Sequence, residues 1–123
     1  MLERNKIIGN WSLDKMTYKD SNFPEESFNE SGRMVILDDG MMFTVVNGDA
    51  SKVDKYPNKV LQNVGVASKF KIVEGGLEEK IINHTFAKRV GETRHVKSWF
   101  DKNQLNMQLN YEDRFLTLTW SRV

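Results

Sequence analysis

Cysteine is missing from all 123 residues, which excludes disulfide bridges and thiolate-held metal clusters and agrees with a reducing, cytoplasmic setting. An excess of one charge is missing too. Lys plus Arg number 18 against 17 Asp plus Glu, a formal net charge of +1. Nucleic-acid binders usually carry a basic stripe, so no nucleic-acid partner is expected. No stretch approaches the ~20 apolar residues of a membrane-spanning helix, so no membrane insertion is expected. The start, Met1-Leu2-Glu3-Arg4-Asn5-Lys6, has no apolar core behind its charges and does not read as a signal peptide. On that reading the N-x-S/T triplets at Asn10, Asn29 and Asn83 are chance matches. The chain also lacks a Gly-x-Ser-x-Gly elbow, a phosphate loop, a dinucleotide fingerprint, internal repeats and low-complexity tracts.

What the sequence does contain is a series of strand signals: short runs of alternating apolar residues separated by Gly, Asn and Asp. The runs are 7–18, 33–37, 41–46, 66–73, 77–87, 93–100, 104–110 and 114–122. In the first, Trp11 and Leu13 share a face. In the last two, Leu105, Met107 and Leu109 share one, as do Leu116, Leu118 and Trp120. Asp39-Gly40 marks a tight hairpin, because Gly accepts the positive φ that such turns need. The polar stretch 19–31, with Pro24 and the Glu25-Glu26 pair, reads as a loop. Residues 50–63 read as a long connection that could hold a short helical turn or act as a lid. A single all-β domain spanning 1–123 is expected, an antiparallel up-and-down barrel of about eight strands. Closure removes exposed sheet edges, and a barrel of that size is just wide enough for side chains or one small ligand.

Gly9-Asn10-Trp11 resembles the Gly-x-Trp opening of the lipocalins. Trp120-Ser121-Arg122-Val123 is similar to the ending of small bacterial lipocalin-like domains. Gly32 to Ile36 with Asp39-Gly40-Met41, then Phe70 to His84, and then Leu105 to Leu109 resemble further segments of that family in the same order. The family often has Tyr where Ile36 or Leu37 stands, and its middle loop is richer in Gly and Tyr. The resemblance implies that Trp11 crosses the closed end of the barrel and that Arg122 lies over its ring as a cation–π contact. Any opening is then at the other end.

Two histidines invite chemistry. His84 ends one strand and His95 begins the next, so a symmetric hairpin could set them opposite each other. Zinc catalysis needs a third protein ligand, and none stands at a supporting spacing, so no metal or other cofactor is assigned. His84 shares a face with Ile82 and Phe86 on plain alternation, and could orient a polar ligand, act as a base, or be a hydrogen-bonded core residue. Arg94 shares a face with Val96, Ser98 and Phe100; if that face is internal, its guanidinium could meet a ligand carboxylate. Glu78 and Glu79 are neighbours in a strand and point to opposite faces, so they cannot form a catalytic dyad.

The leading expectation is a lipocalin-like module that binds a small hydrophobic or amphipathic molecule, as a monomer or homodimer. Phe43, Phe70, Ile82, Val96, Met107 and Leu118 would form its wall, and His84 and Arg94 would fix a polar group. Two alternatives stay open. One is an isomerase or cyclase that uses the cavity, with His84 as the first residue to test. The other is a solid-cored interaction domain that presents Phe28 or Tyr56 from the 19–31 and 50–63 loops.

Overall fold

The structure is a computed structural model, and it describes residues 1–52, 55 and 62–123. Among these residues nine strands follow one another: β1 (Gly9–Asp20), β2 (Phe23–Phe28), β3 (Ser31–Ile36), β4 (Met41–Asn47), β5 (Val64–Val73), β6 (Gly76–His84), β7 (Thr93–Asp101), β8 (Gln104–Tyr111) and β9 (Arg114–Arg122). From β3 to β9 each strand pairs antiparallel with the next, and β1 takes β3 on one edge and β9 on the other. The eight strands β1 and β3–β9 therefore close into an antiparallel up-and-down barrel. A four-residue helix α1 (Arg4–Ile7) precedes it, and a 3-10 turn, Ala87–Arg89, joins β6 to β7. Neither is long or apolar enough to cross a membrane.

The ninth strand corrects the reading of 19–31 as a loop. β2 pairs with the far half of β1, Met16 opposite Phe28 and Tyr18 opposite Glu26, while β3 pairs with the near half, Ser12 opposite Arg33. Among the described residues β2 has β1 as its sole strand neighbour, so Pro24 removes no ladder bond from a central strand. Phe28 is fully buried, not the exposed aromatic expected of a loop. On this strand the Glu26 carboxylate meets Lys52 Nζ at 2.8 Å. The suggested helical turn or lid and Tyr56 lie largely or wholly outside the described residues.

The end of the barrel near Trp11 is filled. Trp11, Ile36, Leu105 and Trp120 are completely buried there, with Ile7 of α1 packed among them. Burial of side chains this large contributes about 2–3 kcal/mol each. The Trp11 indole N–H donates to the Ile7 carbonyl at 2.8 Å, which ties the short helix to the barrel. Arg122 lies over the Trp11 ring, 4.3 Å from its centroid, and its guanidinium donates to the carbonyls of Ile8, at 2.9 Å, and Lys6. Gly9 explains why the opening motif starts with glycine. Its φ is +135°, and a Cβ there would stand 2.6 Å from Arg122 Nη1. A side chain at position 9 would push the arginine off the tryptophan.

Candidate functional site

At the opposite end the barrel is hollow. The ends of β1, β4, β6 and β8 and the starts of β5, β7 and β9 surround a partly open cavity of about 190 Å³. Its apolar wall comes from Val46, Val64, Val66, Leu109, Leu116 and Leu118. Its polar groups are Tyr18, Thr44, His84, Arg89, Arg94, Tyr111 and Arg114. The volume is modestly larger than the ~150 Å³ cavity that is known to hold benzene, and below the ~300 Å³ at which drug-sized sites begin. One ring or a short chain fits.

A hydrogen-bonded network runs under the polar side. Glu79 and Arg94 are direct cross-strand partners on β6 and β7. Glu79 is 4% exposed and its Oε1 accepts from Arg94 Nε at 2.6 Å; its Oε2 accepts from the Ser68 hydroxyl at 2.7 Å. Arg94 Nη1 donates to the Tyr111 hydroxyl at 3.1 Å. The β7–β8 register, with Lys97 opposite Gln108, brings Tyr111 level with Arg94. Burial works against the charge on Arg94, but the carboxylate of Glu79 and the Tyr111 hydroxyl outweigh it and hold its pKa above the ordinary value. The arginine is thus a fixed cation with donors left over.

His84 reaches this cavity by way of a β-bulge. Ser68 pairs with Ile81 and Ala67 with Asn83, so Ile82 is the extra residue. The bulge corrects the alternation: Ile81 is the buried isoleucine, Ile82 is half-buried away from the cavity lining, and His84 turns inward opposite Val66. The Phe86 backbone N–H donates to His84 Nδ1 at 2.9 Å, so the neutral ring carries its proton on Nε2. Burial lowers the His84 pKa, and the guanidinium charges of Arg94 and Arg89 lower it further. His95 lies far from it in the sheet, opposite Glu78, with Nε2 at 3.2 Å from the Glu74 carbonyl. The facing pair of imidazoles is therefore not formed. No group of three His, Asp or Glu side chains suited to a metal occurs among the described residues.

Tyr18 closes another side of the cavity. Its hydroxyl donates to Asp20 Oδ2 at 2.6 Å, and burial together with that carboxylate pushes its pKa up to about 12. Tyr111 is flanked by charge: the guanidiniums of Arg89 and Arg114 lie 5.2 Å and 5.9 Å from its ring centroid.

Of the wall and polar residues expected from the sequence, His84, Arg94 and Leu118 line the cavity. Val96 and Met107 are buried in the packed core instead. Phe70 is buried on β5 near the closed end, with the Arg4 guanidinium 5.2 Å from its ring. Phe43 is on the outer face, 43% exposed, because Met42 and Thr44 take the inward positions of β4. From the sequence, Glu79 was weighed only as half of a Glu78–Glu79 dyad, and Tyr111 was not named as a site residue. Alternation held a signal for Glu79, which shares a face with the buried Leu77 and Ile81. In comparisons of the sequence with known protein families and curated proteins, no family model and no curated protein matches the chain.

Proposed function

We propose that the barrel is a binding module, lipocalin-like in character, for one small hydrophobic or amphipathic molecule held at the end away from Trp11. The observation that carries the reading is the cavity itself. It combines an apolar wall with a few converging polar groups, the usual make-up of a small-molecule site. The stack of Arg122 on Trp11 supports the family resemblance, and the lack of cysteine supports a cytoplasmic setting.

An enzymatic reading ranks lower for a specific reason. A histidine acting as general base needs a free lone pair toward the substrate. In the neutral ring of His84 the Phe86 N–H occupies the lone pair of Nδ1, and Nε2 carries the proton. His84 is therefore arranged to donate a hydrogen bond, which suits ligand orientation.

Native mass spectrometry of protein purified from its own host tests the binding reading. The expected result is a co-purifying small molecule on the wild-type chain and none on Leu118→Trp, which fills the cavity. A bare wild-type protein that also shows no chemical-shift changes on titration with benzene-sized apolar alcohols would refute it.

A further inference from the structure

The charges around the cavity say more than its size does. Among the described residues that line it there are three arginines and no carboxylate. Two of the arginines are already balanced. Glu79 lies against Arg94 at 2.6 Å, and Glu92 lies against Arg89 at 3.3 Å. Arg114 has no ion-pair partner among the described residues. The carboxylates of the neighbouring rim turns are engaged elsewhere. Asp20 accepts from the Tyr18 hydroxyl and from the Asn22 N–H, and Asp113 accepts from the N–H and hydroxyl of Ser21. The charge of Asp113 reaches Arg114 without forming an ion pair with it, so the mouth holds one guanidinium whose donors are open beside an apolar wall.

The arginines are also pre-placed. Arg89 and Arg114 both lie against the Tyr111 ring, whose hydroxyl is anchored by Arg94. Stacking on an aromatic face limits the freedom of a guanidinium while leaving its in-plane N–H donors open. A planar anion entering here would meet forks of donors that need little reordering. A carboxylate is planar and matches the in-plane fork of one guanidinium. A phosphate monoester is tetrahedral, carries about −1.5 to −2, and would face the Asp20 and Asp113 carboxylates of the same rim.

On these grounds we infer that the ligand is a small amphipathic monocarboxylate, with its apolar body against Val46, Val66, Leu116 and Leu118 and its carboxylate on Arg114 and Arg89. The inference rests on the binding reading above and narrows its ligand class. Arg114 is the specificity-determining residue, Arg89 shares the head group, and Arg94 with Glu79 positions the Tyr111 ring against which both lie.

Calorimetric titration of the full chain with hexanoate, 1-hexanol, hexylamine and hexyl phosphate tests it. Hexanoate is expected to bind about tenfold tighter than hexanol, the scale of a charged hydrogen bond. Arg114→Gln, at an exposed position that leaves the core intact, is expected to bring hexanoate to about the affinity of hexanol. Equal binding of hexanoate and hexanol by the wild type would overturn the monocarboxylate inference and keep the binding reading. So would tighter binding of hexylamine or hexyl phosphate, or a preference for hexanoate that survives Arg114→Gln. Binding of none of the four would remove the binding reading and this inference with it.

Discussion

Replacing Glu79 by alanine removes one partner of a buried ion pair and leaves the other in place. Glu79 is 4% exposed, and the Arg94 side chain is 21% exposed where it reaches the cavity. Breaking a buried pair from one side typically costs ~3–5 kcal/mol, because a charge is left without compensation. Arg94 retains some water at the mouth and its bond to Tyr111, which favours the lower end of that range. The Ser68 hydroxyl loses its acceptor, which adds about 1 kcal/mol. A total near 3–4 kcal/mol is a large share of the ~5–15 kcal/mol that stabilises an ordinary domain. Urea unfolding followed by tryptophan fluorescence measures it directly. Glu79→Gln keeps the shape and an acceptor for Ser68 but not the charge, so it should lose less than Glu79→Ala. The double change Glu79→Leu with Arg94→Leu removes both charges and should recover most of the loss, since an apolar pair of similar volume often matches a buried ion pair. The reasoning fails if Glu79→Ala costs less than about 1 kcal/mol, or if the double variant is no more stable than Glu79→Ala.

Two further outcomes follow from the two ends of the barrel. At the closed end, Gly9→Ala should cost about 1–3 kcal/mol, because its φ of +135° disfavours a side chain and the new Cβ meets Arg122. The near-ultraviolet circular dichroism of the tryptophans should change with it, and an unchanged spectrum and stability would contradict the role given to the Gly-x-Trp motif. At the open end, His84 has a pKa below its ordinary 6.5, so the unfolded chain binds its proton more readily than the folded one. Its contribution is therefore present above about pH 6.5 and is lost as the pH falls toward the lower folded value. Arg94 and Arg89 oppose the imidazolium, Glu92 and Glu79 favour it, and the Phe86 N–H has to release Nδ1 before that nitrogen takes a proton. Wild type should lose more stability between pH 7.5 and 5 than His84→Gln does, and parallel losses in the two would contradict this sign.

The alternation of apolar residues by itself determined the class of the protein. Leu105, Met107 and Leu109, then Leu116, Leu118 and Trp120, have a period of two that no helix can bury on one face, and the turn residues between the runs leave room for hairpins. A sheet of this many short strands is driven to close, and the barrel follows. The closed end was legible through the resemblance of Gly9-Asn10-Trp11, which set Arg122 over Trp11, while the close approach that requires glycine at position 9 came with the structure. The cavity was not. In β4 every residue of 41–46 except Thr44 is apolar, so the pattern carries no phase; pairing of Met42 with Ile36 and Ser68 turned Met42 inward and left Phe43 outside. In β6 one inserted residue, Ile82, reversed the faces beyond it and brought His84 in. The site joins Ser68, Glu79, Arg94 and Tyr111 from four different strands, and only the registers between those strands set them within hydrogen-bond reach. Sequence periodicity records the face of a strand. Which face becomes the inside, and which polar groups meet there, is decided when neighbouring strands fix one another's register.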